Sequence, residues 1–191
     1  MLNHVGTDTI KTERLVLRPY LEGDGDAMFK NWANDEEVCQ YLTWAPHANI
    51  DVSRQLVSEW SKNYISDCFY HWGITMDGEL IGDIAVVRWN ERHEDAELGY
   101  CLSKKYWRQG IMTEALTAVA RYLFDRVCFH RVMLRHDADN PASGRVMQKA
   151  GFHYEGCMIE AEKRRQGGWA DLCIYGATKE SFQKPDEEAW L

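Results

Sequence analysis

Apolar and polar positions set the element order. In Thr12 to Tyr20 (TERLVLRPY), Leu15 and Leu17 stand against Val16 and Arg18, which predicts a strand. Asp24 or Asp26 is placed to cap a short helix through Ala27, Met28, Phe29 and Trp32 that ends near Asn34. Leu56, Trp60 and Tyr64, at i, i+4 spacing, predict a second helix over 51–64. Strand patterns at 69–76 and 80–89 flank Asp77-Gly78, a hairpin turn signal, and a further strand is predicted at 96–102.

The strongest helix signal follows Gly110. Met112, Leu116, Val119, Leu123 and Val127 form one apolar stripe, with Ala115, Ala118 and Ala120 adding helix propensity. After a strand at 131–136 comes a well-punctuated helix: Asn140 as N-cap, Pro141 at its first position and Gly151 closing it. Strands at 152–158 and 170–178 flank a polar segment, 160–168. Mostly strands, with helices inserted early, in the middle and before the last strand pair, this order predicts an α/β or α+β sheet with helices on its faces.

Composition narrows the class. With 191 residues, 45% of them hydrophobic, and no repeat or linker tract, the chain is expected to form one domain. Thirty Asp and Glu outweigh 22 Lys and Arg, giving a formal net charge of −8, which argues against a general nucleic-acid binder; it suits a cationic or amine-bearing substrate, but solubility is the readier account of it. Six dispersed cysteines, several inside apolar stretches, point to a reducing compartment. No Cys/His spacing suggests a metal site, and no apolar run reaches membrane-spanning length, so a cytoplasmic protein is expected.

Two segments carry candidate chemistry. In Glu97 to Arg121, a strand, a turn and a long helix follow one another, and the first helical turn offers free backbone N–H groups and partial positive charge. That suits a diphosphate, with Gly110 permitting close approach, but an ordinary strand–helix corner looks the same and no G-x-G-x-x-G or P-loop is present. In Asp139-Asn140-Pro141-Ala142-Ser143, capping explains Asn140, while Ser143 projects a hydroxyl able to protonate a leaving thiolate.

ELGYCLSKKYWRQGIMTEAL followed by DNPASGRVMQKAGFHYEGC resembles the GNAT superfamily of N-acetyltransferases in its RimJ/RimL-type branch. TERLVLRPY and WADLCIYGAT extend the resemblance over residues 12–178. It implies a mixed, mostly antiparallel twisted sheet in which a bulge splays strand 96–102 from a parallel neighbour at 131–136. The pantetheine arm of acetyl-CoA would pair in that gap, with Cys101 and Leu102 beside it. The diphosphate would sit on Trp107, Arg108, Gln109, Gly110, Ile111, Met112 and Thr113; Asn140 would meet the pantetheine arm and Ser143 the sulfur. Trp107 and Met112 depart from the superfamily loop, which usually begins with Gln or Arg and ends with Gly or Ala.

By the same resemblance Glu162 matches the catalytic carboxylate of RimL-type enzymes, and Glu97 stands roughly where other branches keep theirs. Glu162 is the preferred base, Glu97 the reserve and Ser143 the acid. As plain surface chemistry, Glu162 would pair with Lys163, Arg164 or Arg165, and Glu97 with Arg88 or Lys104. Trp32, Trp44, His71, Tyr100 and Tyr175 are candidate walls of the acceptor pocket, although ordinary core packing is the readier account of each aromatic. The implied activity is acetyl transfer to a primary amine, foremost a protein N-terminus of the ribosomal-protein type. A small amine (polyamine, aminoglycoside or amino acid) and a non-catalytic acyl-CoA-binding module are the alternatives. A homodimer, with the tail aromatics Phe182 and Trp190 contributing, is a further expectation.

Overall fold

The computed structural model describes residues 1–183; Trp190 lies outside the described residues. Eight strands form one sheet in the order β1-β2-β3-β4-β5-β6-β8-β7. They are β1 (Ile10–Lys11), β2 (Val16–Arg18), β3 (His71–Met76), β4 (Glu79–Asn90), β5 (Asp95–Leu102), β6 (Arg131–Asp137), β7 (His153–Lys163) and β8 (Trp169–Thr178). All neighbours are antiparallel except β5 and β6. The helices are α1 (Asp24–Met28), continued by a π turn at Phe29–Ala33, α2 (Ile50–Asn63), α3 (Ile111–Tyr122), continued by a π turn at Leu123–Val127, α4 (Pro141–Lys149) and α5 (Lys179–Gln183).

Two cores lie on the two faces of this sheet. On one, the predicted stripe of α3 is fully used: Met112, Leu116, Val119, Leu123 and Val127 pack with Leu17, Trp72, Ile84, Leu98 and Leu134. On the other, α1, its π turn and α2 bury Met28, Trp32 and Val57 against Tyr20, Leu80 and Cys101. Asp77 and Gly78 both take positive φ (50° and 82°), the conformation a two-residue hairpin demands.

Several expectations are corrected. The strand expected at 12–20 is only Val16–Arg18, because Thr12 turns back onto Leu15, with Ile10–Lys11 a separate strand before it, and Thr12 and Arg14 grip Glu114 of α3. Neither Asp24 nor Asp26 caps α1: Gly23 holds the cap position at φ 96°, while Asp24 binds Arg18 and the Leu21 amide. The polar segment after Met158 is not a plain loop, since β7 runs on to Lys163 past a bulge between Met158 and Glu162. Phe182 packs on its own chain, against Phe124 and Phe152.

Candidate active site

The parallel pair β5–β6 comes apart. Pairing runs only from Asp95↔Arg131 to Glu97↔Met133, and beyond it Leu98–Leu102 has no partner strand on that side among the described residues. The register shift accompanying the fork lies in β4, where Val87 is the extra residue between Val86↔Leu98 and Arg88↔Glu97. The expected bulge therefore sits on the neighbouring strand and not in β5.

Strand alternation sorts the groups along the fork. Leu102 turns its carbonyl to the fork side, where it accepts the Trp107 indole N–H at 2.8 Å, whereas Ser103 N–H pairs back to Ile81 of β4. Leu98, Tyr100 and Leu102 thus aim backbone groups into the gap. Cys101 does not, contrary to expectation: it opposes Asp83 of β4, and its thiol donates to Asp83 Oδ1 at 3.2 Å on the opposite face. Burial pushes the Cys101 thiol well above its ordinary value, helped by the Asp83 charge.

Where the fork opens, α3 begins. Gly110 takes φ 74° at its N-cap position and no side chain caps the helix, so the amides of Ile111, Met112 and Thr113 are free to meet an anion. Arg108 and Gln109 are exposed in the preceding turn, and Arg108 takes φ 60°. Arg14, which sequence reading missed, donates to the Gln109 carbonyl and pairs with Glu114, tying the β1–β2 turn to this loop. The unusual loop ends have structural work: Trp107 fastens the turn to β5, and Met112 is 5% exposed in the core.

Across the gap, Asn140 caps α4 by accepting the Ser143 amide at 3.3 Å, with Pro141 in the first turn. Tyr100 OH lies 2.8 Å from Ser143 Oγ and donates to the Ser143 carbonyl at 3.1 Å. Burial pushes the Tyr100 phenol far above its usual range, so it stays a neutral donor. Tyr175 and His136 stack at 5.6 Å beneath Gly144, where a Cβ would lie 2.6 Å from His136 Nε2 and 3.2 Å from the Tyr175 hydroxyl. Tyr100 and Tyr175 therefore stand with Ser143 on the α4 face, across the sheet from α1 and α2. Only a hydroxyl–aromatic pairing along β5 and α4 would have signalled Tyr100, and sequence spacing does not show it.

On the α1–α2 face the two candidate bases meet through one residue. Arg135 of β6 donates from Nε to Glu97 Oε1 at 2.7 Å and brings Nη1 within 3.4 Å of Glu162 Oε2. Glu97 is 7% exposed, and Arg88 binds its other oxygen at 3.3 Å. Glu162 is about one-third exposed, with Oε1 free of any partner among the described residues. Two of its three expected neighbours are engaged elsewhere: Arg164 holds Asp137 and Asp139, and Arg165 donates to the Cys39 carbonyl. Lys104 pairs with Glu37 and not with Glu97.

Ala85 and Gly99 oppose each other on the central strands β4 and β5 of this face and remain part-exposed. A Cβ on Gly99 would meet only Val87 Cγ1 within 4 Å. Tyr100, pointing the other way, is part-exposed too, so the fork is open toward both faces. His71 stands at the edge of the Ala85–Gly99 floor, and Trp44 stacks on His47 at 5.3 Å nearby in the second core. Trp32 is corrected: at 0% exposure it has no surface to lend a pocket. Among the described residues no group of three or more His, Cys, Asp or Glu is placed to hold a metal, and no helix is long and apolar enough to cross a membrane.

Known proteins resemble this chain in sequence and fold. Residues 14–153 match the acetyltransferase (GNAT) domain family. The chain is 39% identical to the ribosomal protein uS5-alanine N-acetyltransferase of Escherichia coli (strain K12), covering 77% of this chain and 79% of the relative. It is 35% identical to the ribosomal-protein-serine acetyltransferase of the same organism, covering 82% and 89%. The coenzyme A complex of RimL, a ribosomal alpha-N-protein acetyltransferase, has the same fold at TM-score 0.82 and 23% identity, over 91% of this chain and 99% of that one. This chain therefore belongs to the GNAT acetyltransferases, of RimJ/RimL type.

Proposed function

We propose that this chain moves the acetyl group of acetyl-CoA directly to the α-amine at a protein N-terminus; its relatives include two ribosomal-protein acetyltransferases, and an alpha-N-protein acetyltransferase shares its fold. The observation that carries this is the fork open on both faces. Free amides and Ser143 lie toward α3 and α4, and the bare Ala85–Gly99 floor with Glu162 lies toward α1 and α2. Two substrates can then meet through the sheet. The whole chain acts as one domain, in the cytoplasm, where its thiols stay reduced.

The amides of Arg108 to Thr113 receive the diphosphate, while the fork-side backbone of Tyr100 and Leu102, with Asn140, receives the pantetheine arm. Bound acetyl-CoA supplies the activated thioester. Glu162, partly exposed and with one oxygen free, takes the proton of the attacking amine. An α-amine with a pKa of about 7.7–8 asks less of such a base than a lysine at about 10.4. Glu97, held on both oxygens, is assigned to structure. A fork-side N–H polarises the thioester carbonyl, and Ser143, backed by Tyr100, returns a proton to the leaving thiolate.

The test is thiol release from acetyl-CoA with peptide N-termini and small amines offered side by side. Faster turnover of peptides supports the proposal. Faster turnover of polyamines, aminoglycosides or amino acids replaces it with the small-amine reading, and acetyl-CoA binding without release over the whole panel leaves a binding module.

A further inference from the structure

Asp83 is a carboxylate on the α1–α2 face that no lysine or arginine neutralises among the described residues. Its donors are Tyr20 OH at 3.1 Å, Cys101 Sγ at 3.2 Å and His71 Nε2 at 3.2 Å. In the neutral ring, the Asp83 carboxylate draws the proton onto Nε2 and leaves Nδ1 a hydrogen-bond acceptor. Trp60 clamps the ring, with centroids 4.3 Å apart, and Tyr20 lies at 5.2 Å. Nδ1 itself has no protein partner among the described residues and is not among the sealed polar atoms, so it reaches solvent.

The register shows which residues share its row. His71, Ala85 and Gly99 are successive partners across β3, β4 and β5, so they form one row on one face. Two strand spacings of about 4.8 Å separate His71 from the fork-lining strand, a span of roughly 10 Å. The two residues nearer the fork carry only a methyl group and a hydrogen. An extended peptide rises about 3.4 Å per residue, so a chain whose amine sits at the fork passes the imidazole two or three residues later. A monoamine does not reach it.

Resting on the acceptor reading above, we propose that His71, oriented by Asp83, is a specificity residue for the acceptor chain. Nδ1 accepts a hydrogen bond from a backbone N–H or side-chain donor beyond the reacting residue, selecting extended peptide N-termini over amines of one residue. Asp83 acts through His71 and is a positioning residue.

The experiment compares kcat/KM for a tetrapeptide amide and for the amide of its first amino acid, in the wild-type chain and in His71→Gln, His71→Asn and Asp83→Asn. Gln keeps a polar group where Nε2 was and loses the one at Nδ1; Asn does the reverse. The expected result is a fall in the tetrapeptide-over-amide preference of about tenfold in His71→Gln, carried by KM, the scale of one hydrogen bond lost. Partial recovery is expected in His71→Asn and a smaller fall in Asp83→Asn. An unchanged preference in His71→Gln, or an equal loss on both acceptors, overturns the specificity role. If His71→Gln does not fold, the preference in Asp83→Asn decides. Turnover of small polyamines without turnover of any peptide overturns the acceptor reading itself, and this role with it.

Discussion

Exchanging each candidate base for its amide separates structure from chemistry in the fork. Glu97→Gln removes a charge that is 9% exposed at its side chain and receives two guanidinium groups, Arg135 at 2.7 Å and Arg88 at 3.3 Å. Both arginines stay partly in water, at 38% and 55% side-chain exposure, so the loss falls below that of a sealed ion pair. A cost of about 2 kcal/mol is expected, which in a chain of this length lowers Tm by roughly 4–8 °C. Glu162→Gln removes a single contact of 3.4 Å between groups that are both about one-third exposed. Screening leaves that pair under about 0.5 kcal/mol. Its cost appears in turnover instead, a fall of about 10²- to 10⁴-fold at unchanged affinity for acetyl-CoA. Urea unfolding and thiol release on the same two variants read both quantities. A stable but inactive Glu97→Gln beside an active Glu162→Gln would refute the reasoning and exchange the roles.

Other outcomes follow from the same geometry. Ser143→Ala and Tyr100→Phe should each lower kcat by about 10- to 100-fold, and the double variant should be little worse than the weaker single, because the two hydroxyls, 2.8 Å apart, act as one unit. Multiplying losses would mean they act separately. Gly110→Ala places a side chain at φ 74°, costing about 1 kcal/mol, and should raise KM for acetyl-CoA more than it changes kcat. For Glu114, burial alone would push the carboxyl up, but hydrogen bonds from Thr12 and Arg14 outweigh it and hold it below 4.5. Because the folded value lies below the unfolded one, this stabilisation is complete above 4.5 and disappears as pH falls through the lowered value. Glu114→Gln should therefore lower Tm at neutral pH and lose that deficit in acid; a deficit independent of pH would show that charge plays no part.

Local signals were legible where local physics decides. Asn140, Pro141 and Gly151 delimit α4 as read, the α3 stripe is buried as read, and Asp77-Gly78 makes its turn. Ser143 and Asn140 were identified from their own helix start. What escaped depends on partners far along the chain. Arg14 meets the loop only because β1 and β2 fold back, and Glu162 meets Arg135 only because β8 lies between β6 and β7 in the sheet. Tyr100 was read as an acceptor wall because its type, and not its side of the strand, is written in the sequence.

Strand parity explains the arrangement of the fork, including the one place where parity fails. Along β5, Ala96, Leu98 and Leu102 enter the α3 core and Tyr100 reaches Ser143, while Glu97, Gly99 and Cys101 face α1 and α2. One strand thus presents different side chains to the two faces on which the two substrates are proposed to bind. Along β4, Ile84 and Val86 face the α3 core, and strict alternation would send Arg88 there as well. The extra residue, Val87, 62% exposed, reverses the alternation and delivers Arg88 to Glu97. Without that insertion Arg88 would be a charge aimed into an apolar core, and Glu97 would keep Arg135 alone. The bulge therefore anchors the last paired rung, Glu97↔Met133, from which β5 and β6 separate. Deleting Val87 should disturb both the stability tied to Glu97 and the opening through which acetyl transfer is proposed to occur.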